Sequence, residues 1–288
     1  MTSASEATGR HPEDEWHPAA PDRVLAAAAL GIALALCLPA VAGLSYLFQR
    51  VEFYAHGYFI PLVAGYLVYG KRRQISEALR QLQPPRYGAL IAFGAAVFEV
   101  LMLVGDVGFA AGVGIPIVLG AAAYAVGGAG LLRPLRLPLA FLVLMIPPPA
   151  FVLYELLFRL KLLVTKSAVW ALHAWGAPVF SEGNLVSVPG HTLFVADACS
   201  GITSIVTMVP LAVVIAYFLI RDNWRRALVV ASVLPLALGA NILRVIVTVQ
   251  LVSVIGIESA QGLLHETFGI ATYVLGTVAL VGLARLLR

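Results

Sequence analysis

The sequence predicts an all-α integral membrane protein of about eight transmembrane helices, with an amphipathic helix at the outer interface and a small outer β-hairpin. Three observations lead there. Sixty per cent of the 288 residues are hydrophobic, only 12% are charged and the mean hydropathy is +0.92, whereas about a quarter of an ordinary soluble domain is charged. The apolar residues gather in runs near the roughly 20 residues that one helical span requires. Basic residues mark every second connection between runs, the pattern expected of cytoplasmic loops.

Residues 1–23 are polar and rich in Glu, Asp, His and Pro, without the basic start and small-residue cleavage site of a signal peptide. They are expected to form a disordered cytoplasmic tail, and residues 24–288 a single polytopic membrane domain. The apolar runs fall at about 24–48, 53–70, 88–104, 107–132, 137–154, 199–220, 227–255 and 265–287. Lys71, Arg72, Arg73, Arg80 and Arg86, then Arg133 and Arg136, then Arg221, Arg225 and Arg226, and finally Arg285 and Arg288 occupy alternate connections. The positive-inside rule places these connections and both termini in the cytoplasm. Segments 49–56, 147–198 and 256–264 and the connection at Asp106 then face outward, so Cys199 and His265 lie at the outer ends of their helices.

Between the fifth and sixth runs, Glu155, Arg159, Lys166 and His173 recur on one helical face opposite Leu, Phe, Val and Trp. That spacing predicts an amphipathic helix over 155–175, lying in the interface of the cytoplasmic (inner) membrane. Pro147, Pro148 and Pro149 end the fifth span. Over 179–197 the period shortens, with Leu185–Val188 and Thr192–Val195 flanking Pro189-Gly190, which predicts a small hairpin leading into Cys199. Pro-Gly suits a type II turn better than the primed turns of two-residue hairpins, so a longer or bulged connection is expected. No internal repeat is visible.

Polar residues in such a chain are expensive and therefore informative. An arginine near mid-span costs roughly 2.5 to 3.5 kcal/mol even on the lenient insertion scale, and Arg244 is such a residue. Asn241, Arg244 and Thr248 share a helical face, which has to look into the bundle or a wet cavity. Arg244 lies about eleven residues, roughly 16 Å, from the outer end near Ile255, a depth from which its side chain can reach upward. The competing reading is an interhelical anchor. Cys199 differs from the buried Cys37 in its company: Asp197 precedes it, Ser200 and Gly201 follow, and it opens a helix at the outer surface. A helix N-terminus and a nearby cation both lower a thiol's pKa. His265, followed by Glu266, opens the last run, and His265, Gly269, Thr272 and Gly276 form a face of small groups suited to close helix packing. His56, His173 and His191 are competing outer histidines. A thiol, a guanidinium and an imidazole are the parts of a nucleophilic acyl-transfer site.

Two cysteines without a CxxC motif or a Cys/His cluster indicate neither a disulfide framework nor a metal site, and no cofactor is expected. The net charge of +4 is scattered at the ends of apolar runs, so it indicates no nucleic-acid partner but contact with membrane lipids.

From about His56 onward the chain resembles the exosortase/archaeosortase family of membrane cysteine transpeptidases. His56-Gly57 with Pro61 is similar to the family's early HGxxxP region, and Pro147–Pro149 with Gly183-Asn184 to its approach to the active site. Ala198-Cys199-Ser200-Gly201, Asn241 with Arg244, and His265-Glu266 are similar to its three signature blocks, in the family's order. Asp197 stands where glutamate is as often expected. The resemblance implies a processing enzyme for exported proteins whose C-terminal sorting tail carries a short motif such as Pro-Glu-Pro, a transmembrane helix and a basic cluster. It implies catalysis by Cys199, Arg244 and His265, supported by Asn241, Asp197, Ser200 and Gly201, and transfer to an unidentified acceptor nucleophile. Two rival classes are a transporter of an anionic solute with Arg244 as counter-ion, and a non-catalytic assembly factor of an export system.

Overall fold

The structure, a computed structural model, describes residues 20–195, 201–256 and 263–288. The expected tail lies almost wholly outside the described residues. Nine α-helices and three strands are described: α1 Ala20–Arg50, α2 Phe59–Gly70, α3 Arg72–Arg80, α4 Gly88–Val104, α5 Gly108–Leu142, α6 Ala150–Ala174, β1 Phe180–Glu182, β2 Leu185–Val188, β3 His191–Phe194, α7 Ile202–Leu219, α8 Asn223–Ile255 and α9 Leu263–Leu286. It is an all-α multi-span membrane protein bearing one small open sheet. Five described helical segments are long and apolar enough to cross a membrane, namely Val24–Arg50, Gly108–Met145, Ile202–Leu219, Asn223–Ile255 and Thr267–Leu286, and Gly88–Val104 is a shorter apolar helix.

Several expected boundaries move, each for a local reason. The second run begins as a 3-10 segment, Glu52–Tyr58, so α2 starts only at Phe59. Helix persists through Arg133-Pro134 and Arg136, expected to be a connection, and the break falls at Gly128 instead (φ 58°, ψ −152°). That conformation belongs to glycine almost alone, and a Cβ there would meet the Gln83 carbonyl at 2.5 Å. The three prolines end the helical path as expected, but residues 150–154 of the expected fifth run open α6. α7 starts at Ile202, where Gly201 caps it in the left-handed region (φ 82°); the expected start of the sixth run at Cys199 lies outside the described residues.

The chain divides into two units, Met1–Ser45 with Pro61–Ile146, and Tyr46–Ile60 with Pro147–Arg288. In the first, α4 lies along α5, with Gly88 approaching the Ala125 backbone, and Gly112 of α5 makes room for Ile146 beyond the end of that helix. Glu99 of α4 is 0% exposed, and its carboxyl group fills the space over Gly114, where a Cβ would overlap it. Neither carboxyl oxygen has a hydrogen-bond partner among the described residues. Cys37 is 3% exposed, with the Ile115 carbonyl 4.0 Å from its sulfur, and is the inert core thiol its surroundings suggest.

In the second unit α7, α8 and α9 pack together around Met208, Ala212, Ala216, Val233, Ala237 and Ala284, and the alanines let helix axes approach closely. Arg226 donates to the Ile220 carbonyl at 2.9 Å and Arg225 to the Leu287 carbonyl at 3.2 Å. These arginines, expected as topology markers, thus also cap the electronegative C-terminal ends of α7 and α9. α6 buries Leu157, Leu160, Val164, Ala168 and Leu172 along one face, and carries an exposed Glu155–Arg159 ion pair on another.

The sheet is a three-stranded antiparallel meander in the order β1-β2-β3, not a hairpin. Residues 181–184 supply most of β1 as well as the turn through Gly183 (φ 61°). The expected long connection is also corrected. Val188 pairs directly with His191, leaving Pro189-Gly190 as a two-residue turn with Gly190 at φ 85°. A type II turn needs that positive φ at its second central residue, and four-residue strands are too short for the resulting splay to cost much pairing. One sheet face, with Val186, Val188 and Leu193, packs on Val164, Ala168 and Leu172 of α6 and on Val245, Val249 and Val252 of α8.

Candidate active site

Asp197, Cys199 and Ser200 lie outside the described residues, as do the side chains of His265 and Glu266, although His265 falls in the first turn of α9. Gly201, Asn241 and Arg244 are placed, and all three meet neighbours that matter. Asn241 is buried at 4% exposure. A Cβ on Gly201 would stand 3.6 Å from the Asn241 Cβ, so the start of α7 lies directly against α8 at that residue. Gly201 also accepts the first bond of α7, from Ile205 N–H at 2.9 Å. The positive end of the α7 dipole therefore lies at Gly201, and a developing anion is favoured at such an end.

One turn further along α8, the half-buried Arg244 lays its guanidinium on the backbone of Gly269 in α9. A Cβ on Gly269 would come within 2.9 Å of Nη2, 3.0 Å of Cζ and 3.2 Å of Nη1. Arg244 therefore sits in the α8–α9 seam and not toward lipid, as its insertion cost requires. Gly276, two turns beyond, continues the seam: a Cβ there would stand 3.5 Å from the Met208 Cε of α7 and 3.9 Å from the Ala240 Cβ of α8. Thr272 turns its hydroxyl onto its own helix, donating to the Phe268 carbonyl at 2.8 Å. The small-residue face read from the sequence is thus a real packing face. Chain distances connect these contacts to the two remaining groups: Cys199 precedes Gly201 by two residues, at most about 7 Å of backbone, and His265 precedes Gly269 by one turn, about 6 Å of rise.

Among the competing histidines, His173 donates from its ring to the Val179 carbonyl, tying the end of α6 to the chain entering β1. His191 pairs with Val188 in the sheet, and His56 is half-buried in the 3-10 segment, which packs against α7. Gly57 beside it is required because a Cβ would overlap the Phe48 ring, which itself stands edge-on to Tyr58 at 5.2 Å. Sequence reading passed over Tyr54 in this segment. Its phenol is buried, which pushes its pKa up to about 12. Only its place just before the His-Gly pair could have drawn attention to it.

Residues 48–282 match the family model described as transmembrane exosortase. The chain belongs to the transmembrane exosortase family. No curated protein and no solved structure matches it. The matched span runs from the foot of α1 through the 3-10 segment to α9 and includes Cys199, Arg244 and His265. Membership makes this exosortase a membrane enzyme of the cysteine transpeptidase type, acting in the processing of exported proteins. The Gly269 contact gives a prediction for it. Gly269→Ala forces the guanidinium back by a few tenths of an ångström, and Gly269→Val displaces it by about 1 Å, a misplacement that can cost on the order of 100-fold in rate. Processing of a sorting-tail reporter, followed by gel shift, is expected to fall severalfold with alanine and about 100-fold with valine. Wild-type rates in both would speak against a catalytic position for the Arg244 guanidinium.

Proposed function

We propose that this exosortase cleaves C-terminal sorting tails through a thioester at Cys199, with Arg244 and His265 completing the site and Asn241, Asp197, Ser200 and Gly201 supporting it. The supporting observation is the Arg244 guanidinium seated on Gly269, one turn after His265, on the helix whose Asn241 meets Gly201. The Cys199 thiolate attacks the scissile carbonyl, and the guanidinium stabilises the tetrahedral oxyanion. On collapse the carbon–nitrogen bond breaks, and protonated His265 gives its proton to the departing amine. An acceptor amine then attacks the thioester and releases the thiolate, or water does so. A solute transporter would place its counter-ion beside a broken helix, whereas α8 runs unbroken over Asn223–Ile255.

The substrate is an exported protein ending in a short motif, a transmembrane helix and a basic tail. In this reading α1, α2, α4, the two halves of α5 about Gly128, α7, α8 and α9 make eight crossings of the cytoplasmic membrane. α6 lies at the outer interface, both termini and the 1–23 tail are cytoplasmic, and the site opens outward. A membrane-impermeant maleimide tests this arrangement. Cys199 is expected to react in outer-permeabilised cells and Cys37 to stay unlabelled; labelling of Cys199 only after the inner membrane is broken would reverse the orientation.

A further inference from the structure

The meander has an unused edge, and it leads into the proposed nucleophile. Val195 N–H donates to the Asn184 carbonyl at 2.9 Å, and hydrogen-bonded pairs alternate along an antiparallel ladder. With the observed register, the bonded pairs of β2 and β3 are Val186 with Leu193 and Val188 with His191. The N–H and C=O groups of Thr192 and Phe194 therefore point away from β2. Among the described residues no further strand takes them, since β3 is the last of the order β1-β2-β3. Both residues are exposed, Phe194 at 62%.

The edge is rigidly mounted. The opposite face of the sheet packs on Val245 and Val249 of α8, the first of which follows Arg244 directly. Phe194 precedes Cys199 by five residues, so the edge ends within about 18 Å of backbone from the thiol. Lys161 of α6 holds its ammonium 5.7 Å from the Phe194 ring centroid. A charged lysine beside a short edge disfavours pairing with a second copy of the same edge, but leaves it open to a different extended peptide.

We propose that the Thr192–Phe194 edge is the substrate-docking rail: the extended segment next to the scissile bond adds to β3 as a fourth strand. This rests on the thioester reading above. The donors and acceptors of Thr192 and Phe194 would hold about three or four residues of peptide backbone, and alternate side chains would set specificity, as in other strand-addition complexes. Because the ladder to β2 does not use the N–H groups of Thr192 and Phe194, proline can enter at either position of this edge without breaking it.

The test uses full-length enzyme in membranes and an exported reporter fused to the tail of a secreted protein from the same genome that ends in a short motif, a transmembrane helix and a basic cluster. A Cys199→Ala enzyme carrying a benzophenone amino acid at Thr192 is expected to capture at least tenfold more reporter than one carrying it at Glu182 on the opposite edge strand. With Cys199 intact, Thr192→Pro and Phe194→Pro are expected to slow processing at least tenfold. Wild-type processing in both proline variants, equal or greater capture at Glu182, or crosslinks confined to the enzyme's own chain or a second copy would overturn the proposal while the thioester reading stands. Capture at Thr192 by an enzyme whose wild-type form never cleaves the reporter would instead sink the thioester reading and keep the rail. Should a proline variant fail to accumulate, the crosslink pattern decides.

Discussion

Cys199→Ala and Cys199→Ser are both expected to leave the sorting-tail reporter uncut, with rates at least about 1,000-fold below wild type, as when the nucleophile of a catalytic unit is removed. Serine fails for a physical reason. A thiol of ordinary pKa near 8.5 is already about 3% ionised at neutral pH, and a helix N-terminus with a neighbouring cation raises that share. A hydroxyl gains no comparable ionised fraction from the same surroundings and would need a base to take its proton during attack. Cys37→Ala is the control: that thiol is buried in α1, and processing is expected to stay within about twofold. Wild-type processing by both Cys199 variants would leave this exosortase-family member without a thioester and return the non-catalytic reading to the front.

Arg244→Gln carries the second large effect, a loss of about 100- to 1,000-fold, the range found when one oxyanion donor is removed from an enzyme. Arg244→Lys is not a conservative repair. A planar guanidinium lies flat on the bare backbone of Gly269, whereas an ammonium is a compact, strongly hydrated point charge on a flexible stem. It is expected to restore no more than about a tenth of the activity. The pH dependence of Cys199 alkylation separates the possible roles. An unchanged profile in Arg244→Gln, with processing lost, assigns the guanidinium to the oxyanion; a profile moved to higher pH assigns it to the thiolate. Processing within twofold of wild type alongside a lowered Tm would make Arg244 an anchor of the α8–α9 seam.

The membrane character, most helical runs and the polar residues at their ends were legible because hydropathy and charge act locally. Arg244 could be singled out by cost alone, since nothing else in its surroundings is so expensive to insert. Its partner could not. That Gly269 supplies the bare surface for the guanidinium depends on how two helices meet, and helix pairing leaves no mark in a single sequence. The same limit hid Glu99, whose space is opened by Gly114 on the next helix. Breaks were misplaced where composition and conformation disagree. Arg133 and Arg136 suggested a connection, yet the chain turns at Gly128, where backbone freedom and a close approach to Gln83 coincide. The left-handed Gly201 was visible only as one small residue after a serine. It sets the start of α7 at Ile202.

The central claim, a covalent acyl intermediate on Cys199, is most directly tested by intact and peptide-level mass spectrometry of the full-length enzyme quenched in acid during turnover of the tail reporter. The expected result is an adduct at Cys199 with the mass of the reporter up to its new C-terminus less one water, released by hydroxylamine and absent from Cys199→Ala. Cleaved reporter accumulating with Cys199 unmodified at every quench time, or an adduct on another residue, would contradict it.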